Sequence, residues 1–105
     1  MTTETLVPVF AALGDHTRWS ILAALGEGDA SASALAGRLP VSRQAIAKHL
    51  AVLQEVGLVE TVRVGREVQY RIVGAELSAT ARRLDAVGAA WERRLDAIKE
   101  IAEGL

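Results

Sequence analysis

Residues 41–59 read Val-Ser-Arg-Gln-Ala-Ile-Ala-Lys-His-Leu-Ala-Val-Leu-Gln-Glu-Val-Gly-Leu-Val. Ile46, Leu50 and Leu53 recur at steps of four and three, with Ala45 and Val56 flanking, so one face of a helix is apolar and destined for burial. Ser42 stands where that helix should start, because its hydroxyl can accept from an early backbone N–H. Gly57 stands where it should stop, and Leu58-Val59 opens an extended run. The first two turns also carry Arg43, Gln44, Ala47 and Lys48. A bidentate donor, an amide that donates and accepts, a small residue permitting close approach and a point charge are the side chains that read base edges in a major groove. By itself the segment also fits an ordinary amphipathic surface helix, and the neighbouring sequence decides between the two.

On the N-terminal side, Leu6, Val9, Phe10 and Leu13 share a helical face, with Pro8 near a first turn and Gly14 as the stop. Asp15-His16-Thr17 supplies cap chemistry for a second helix, Arg18 to Leu25, with Ile21, Leu22 and Leu25 inward. Gly26-Glu27-Gly28-Asp29 reads as a turn. Ser31 or Ser33 can cap a short third helix whose Leu35 and Leu39 face the core, and Pro40 ends it. Two helices about three residues apart, the second opening Ser-Arg-Gln, form a helix-turn-helix pattern.

On the C-terminal side, 58–64 and 67–73 are rich in β-branched residues and joined by Gly65-Arg66, a hairpin with Arg63 and Arg66 near its tip. A hairpin directly after a reading helix is a wing, and its arginines can reach phosphates or a narrow minor groove. A long helix then spans about 75–103. Leu77, Leu84, Trp91 and Ile98 are seven apart, with Ala81, Gly88, Leu95 and Ala102 on the neighbouring stripe. This seam suits a second helix, from another subunit or from the first helix of the same chain. Gly88 costs about 1 kcal/mol in a helix interior, and close approach of a partner around Trp91 is a motive for tolerating that cost.

The 105-residue chain has room for one modest core. It has no cysteine, which excludes disulfides, thiolate metal sites and thiol redox chemistry. No signal peptide or membrane span is evident, so a cytoplasmic location is expected, with no membrane partner. The net charge of −1 hides a segregation: residues 1–37 carry −3, residues 38–71 carry +3 and residues 72–105 carry −1. The positive excess coincides with the reading helix and the wing, as a phosphate surface requires. There is no phosphate-cradling glycine loop, no cysteine nucleophile and no His-Glu zinc motif, so no enzyme is expected.

Several residues admit two readings. Arg18 either donates to phosphate or braces the bundle by pairing with a carboxylate. His16 caps a helix, and too few ligands accompany the two histidines to fill a zinc shell. His49 either packs at the helix-turn-helix junction or touches phosphate. Tyr70 and Arg71 can approach the DNA backbone. Trp19 is read as core, and Trp91 as the core of a subunit interface or the wall of a small-molecule pocket.

The segments Phe10-Ala-Ala-Leu-Gly-Asp-His-Thr-Arg-Trp-Ser-Ile-Leu22 and Leu35 to Val59, followed by the Gly65-Arg66 hairpin, resemble the ArsR-type winged-helix repressors over nearly the entire chain. The phrases Leu-Gly-Asp-x-Thr-Arg at 13–18 and Ser-x-x-x-x-x-x-His-Leu-x-x-Leu at 42–53 with Gly-Leu-Val at 57–59 carry the likeness. The resemblance implies a mainly α fold with a β-hairpin wing, in the order α-α-α-α-β-β-α. It also implies a homodimer joined through first and last helices, and repression by binding a palindromic operator. In that picture Ser42, Arg43, Gln44, Ala47, Lys48, His49, Arg63 and Arg66 contact double-stranded DNA. Leu6, Phe10, Leu77, Leu84, Gly88, Trp91, Leu95 and Ile98 line the dimer interface. The metal-sensing members use cysteines on the third helix or an Asp with histidines on the last, and the matching stretches, Ala34 to Leu39 and 75–105, hold neither. No metal or cofactor is therefore expected, and any small-molecule effector is left unnamed. The competing reading is a winged-helix protein-interaction module without DNA binding.

Overall fold

The chain folds as α1 (Thr3–Leu13), α2 (His16–Glu27), α3 (Ala32–Arg38), α4 (Arg43–Glu55), β1 (Val59–Val64), β2 (Glu67–Ile72) and α5 (Gly74–Glu103). This computed structural model describes the backbone of residues 3–104 and side chains from residue 7 to 104. The element order matches the expected one, and the helix boundaries follow from their caps. Asp15 accepts from the Arg18 N–H at 3.0 Å, Ser31 from Ala34 at 3.1 Å and Ser42 from Ala45 at 3.2 Å. Each satisfies one of the amide donors that a helix start leaves without a partner.

Two boundaries differ from the sequence reading. The Asp15 cap sets α2 going at His16, and the helix runs through Gly26 to Glu27 instead of stopping at Leu25. A glycine inside a helix weakens it without ending it. Because α1 begins at Thr3, Pro8 lies inside that helix and not at its first turn.

The core is assembled from one face of each of the first four helices and the base of the hairpin. Ile21, Leu35, Ile46, Leu50, Leu53 and Leu58 are fully buried there, joined by Val9, Ala12, Leu22, Leu25 and Val59. Ile46, Leu50 and Leu53 are the predicted apolar face of α4, and each side chain so buried stabilises the fold by about 1.5–3 kcal/mol. Gly57, at φ 82°, adopts the left-handed conformation that turns the chain out of α4, after which Leu58 N–H donates to the Leu53 carbonyl at 3.0 Å.

β1 and β2 pair antiparallel, with Val59 opposite Ile72 and Val64 opposite Glu67. Gly65, at φ 61°, takes the first of the two turn positions, where a tight hairpin needs positive φ. The wing is fastened to the body at its base. Tyr70 N–H donates to the Ala30 carbonyl at 2.8 Å and Ala30 N–H returns a bond to the Tyr70 carbonyl at 3.2 Å. Arg71 adds an ion pair to Asp29 at 3.3 Å.

α5 leaves this body. Its 30 residues span about 45 Å. The Cα radius of gyration is 18.3 Å, whereas about 13 Å is usual for a compact chain of this length. Leu77 is half-buried and Thr80 buried against the body, but Leu84, Val87, Trp91, Leu95, Ile98 and Ile101 all stand exposed. The first helix of the same chain therefore does not cover the seam.

Candidate nucleic-acid interface

The apolar face of α4 is held inward by Ile46, Leu50 and Leu53, so burial decides which face turns to the core and the remaining faces are presented outward. Ser42, Arg43, Gln44, Ala47 and Lys48 are exposed on that outward side. Ser42 spends its hydroxyl oxygen on the helix cap, leaving its O–H free to donate. Arg63 and Arg66 are exposed on the wing.

The structure sorts the cations of the positive segment into two sets. Arg38 pairs with Glu27, the last residue of α2, at 2.9 Å, and Arg71 with Asp29, in the turn that follows, at 3.3 Å. Arg43, Lys48, Arg63 and Arg66 form no ion pair among the described residues. These four unpaired charges lie on the reading helix and the wing. Arg43 and Arg66 also line one groove of about 590 Å3 between the start of α3, the start of α4 and the wing, together with Ser31, Ser33 and Tyr70. Sequence reasoning had no way to join these positions, since Ser31, Arg43 and Tyr70 meet only once the Ala30–Tyr70 pairing docks the wing.

Arg18 and His49 sit elsewhere. Arg18 donates from Nε to the Ala12 carbonyl at 2.8 Å and from Nη2 to the Ala11 carbonyl at 3.4 Å, capping the last turn of α1. Its Nη1 lies 3.3 Å from His49 Nδ1 and 4.0 Å from Asp15 Oδ2. Arg18 is thus a brace, and the phosphate alternative loses its geometry. His49 is half-buried at the edge of the inner face of α4, apart from the outward group. The Asp15 carboxyl is held below its usual range, chiefly by the Arg18 backbone N–H and further by the Arg18 and His49 charges, with partial burial opposing.

Of the residues expected at a subunit interface, Phe10 and Leu77 are half-buried, whereas Leu84, Gly88, Trp91, Leu95 and Ile98 are exposed. Leu6 lies outside the residues whose side chains are described. Val87 and Ile101 widen the apolar stripe on a flank that the two heptad series missed. Trp19 is not core: 59% of it is exposed, beside a hollow of about 270 Å3 lined by Leu13, Leu22, Ala23, Gly26, Ile72 and Leu77. It stands one turn before Leu22, at the rim of the inward side of α2 that Ile21, Leu22 and Leu25 take. Arg94 packs over the Trp91 ring at 5.7 Å. Among the described residues no three His, Cys, Asp or Glu side chains converge where a metal could sit, and no helix is long and apolar enough to cross a membrane.

Residues 13–62 match a family model described as a helix-turn-helix domain. An ArsR-like transcriptional regulator from Rhodococcus sp. RHA1 is similar over 94% of this chain and 93% of its own, with 66% identity and a TM-score of 0.85. The HTH-type transcriptional regulator Rv2034 of Mycobacterium tuberculosis is 34% identical over 92 residues, 88% of this chain and 83% of that protein. The homodimeric winged helix-turn-helix DNA-binding domain of Mb0332 from Mycobacterium bovis shares 28% identity over 88% of this chain and 82% of its own, with a TM-score of 0.66. The helix-turn-helix, the hairpin beside it and these likenesses agree, and the chain belongs to the ArsR family of winged helix-turn-helix transcriptional regulators.

Proposed function

We propose that the chain is a homodimeric, non-enzymatic repressor that binds a palindromic operator with one α4 in each half-site. The observation that carries this reading is the outward group on α4 and the wing: Arg43, Gln44, Ala47 and Lys48, then Arg63 and Arg66, with four unpaired cations among them. Arg43 and Gln44 read base edges, Ala47 admits close approach or meets a thymine methyl, and Ser42, Lys48, Arg63 and Arg66 hold phosphates or the groove beside the wing.

The exposed stripe Leu84, Val87, Trp91, Leu95, Ile98 and Ile101 supports the homodimer, because a projecting helix with so continuous an apolar face is unstable as a free surface. Gly88 has open space around it, so a partner helix can approach closely there. The Mycobacterium bovis relative is itself homodimeric. Two-fold symmetry in the protein then calls for two-fold symmetry in the operator.

A gel-shift titration with the DNA upstream of the protein's own gene tests the reading. The expected outcome is a discrete complex at low salt, competed by the same duplex and not by a scrambled one. Absence of any low-salt complex would overturn it in favour of a protein-interaction module, and a monomer by sedimentation would overturn the dimer. Transcription from that promoter should fall when the protein is added; a rise would overturn the repressor assignment.

A further inference from the structure

We infer that Arg18 is a positioning residue for the DNA-reading helix, acting through His49 to fix how α4 is set against α1; this rests on the proposed DNA-binding function. Apolar packing of Ile46, Leu50 and Leu53 drives α4 onto the body but is non-directional, so it resists separation of the helix more than a small roll about its axis. Hydrogen bonds supply direction. Among the described residues, the bond between Arg18 Nη1 and His49 Nδ1, 3.3 Å, is the side-chain hydrogen bond that ties α4 to another helix. The same guanidinium grips α1 through the Ala12 and Ala11 carbonyls at 2.8 and 3.4 Å.

These carbonyls belong to the last turn of α1, where the helix end is negative, so a fixed cation is stabilising there; the Ala11 carbonyl also accepts from the Gly14 N–H at 3.2 Å. Beside the shared core, a groove of about 550 Å3 runs between α1 and α4, lined by Pro8, Ala11, Ala12, Arg18, Val52, Glu55 and Val56. One planar group therefore spans a gap that packing leaves open. A lysine in its place has no rigid fork and cannot aim donors at two carbonyls and an imidazole together.

A guanidinium carries donors only, so the Arg18–His49 hydrogen bond calls on Nδ1 as its acceptor, and Asp15 Oδ1 lies 3.9 Å from the same nitrogen. His49 follows Lys48 directly and sits on the turn after Arg43 and Gln44. A roll of α4 therefore displaces the reading side chains together, which harms base recognition while leaving loosely oriented phosphate contacts.

The test uses a duplex enriched from a random pool by the wild-type protein, and its scrambled counterpart, titrated against R18Q, H49L, the double variant and H49Q. R18Q and H49L are expected to weaken the enriched duplex at least about tenfold, the size of a mismatched base pair. Scrambled-duplex affinity and salt slope should stay within about twofold of wild type. The double variant should be no worse than the weaker single variant, since both remove one contact. H49Q, whose amide oxygen can accept from Arg18, should recover most of the loss.

Equal losses on both duplexes that track the melting temperature would overturn the inference and leave a merely structural brace. A reduced salt slope in H49L would overturn it by making His49 a phosphate contact. Additive losses would overturn it by separating the two residues. A wild type that binds no duplex at low salt removes the functional reading first, and the inference with it.

Discussion

Lys48 offers the sharpest quantitative test of how the protein meets DNA. It is exposed on α4 with no ion pair among the described residues, so replacing it by alanine removes a charge without breaking an internal contact. Three cations per subunit are assigned to phosphates, Lys48, Arg63 and Arg66, and they make six in a dimer. If all six neutralise phosphates, the plot of log affinity against log salt has a slope of about −5, or about three decades between 50 and 200 mM. Lys48→Ala removes two charges per dimer, so the slope should fall in magnitude to about 4, with an affinity loss of about 60-fold at 0.1 M salt that vanishes toward 1 M. The loss should be the same for operator and scrambled duplexes, because a point charge on phosphate carries no sequence information. Fluorescence anisotropy with a labelled duplex across a salt series measures both quantities. An unchanged slope, or a loss confined to the operator, would refute the assignment of Lys48 to the phosphate backbone.

Other consequences can be checked separately. Replacing Gln44 by alanine should relax preference at one operator position by about 1–3 kcal/mol while leaving the salt slope alone, as read from affinities for single-base variants of the site. Trp91→Asp places a charge in the middle of the exposed α5 stripe and should yield monomers by analytical ultracentrifugation at concentrations where wild type is dimeric, with secondary structure retained by circular dichroism. Ser42→Ala removes the hydroxyl that caps α4 and should cost about 1 kcal/mol in chemical denaturation. The folded-state pKa of Asp15 lies below its ordinary value of 3.8, so the stability it contributes is present above that value and is lost as pH falls through the lower folded one. Asp15→Asn, which keeps a capping oxygen, should flatten that part of the acid dependence of the melting temperature below about pH 4.

The parts of the fold that were legible in the sequence rest on local signals. Ser42 and Gly57 bracket α4, Ile46, Leu50 and Leu53 give its buried face, and Gly65-Arg66 between β-branched runs gives the hairpin. The outward set on α4 was legible for the same reason, since the faces of a helix are fixed by residue spacing. The Arg18–His49 contact was not, because it joins residues 31 apart in sequence through a guanidinium whose other bonds go to backbone carbonyls. Nor could composition show that Arg38 and Arg71 are neutralised by Glu27 and Asp29 while four other cations stay unpaired. Trp19 was misread because bulk and apolarity suggest burial, whereas α2 had already filled its inner side with Ile21, Leu22 and Leu25. On α5 the two heptad series found most of the stripe. Val87 and Ile101 lie on its other flank, where a straight helix drifts from a seven-residue repeat.

The central claim is that two copies of α4 grip one duplex through Arg43, Gln44 and Lys48. Hydroxyl-radical footprinting of the upstream DNA, with the protein-to-duplex ratio measured on the same complex, tests it most directly. The account predicts two protected stretches with related inverted sequences, centred about one helical turn or a multiple of it apart, at two chains per duplex. A single unpaired stretch bound by one chain, or no protection at low salt, would contradict it.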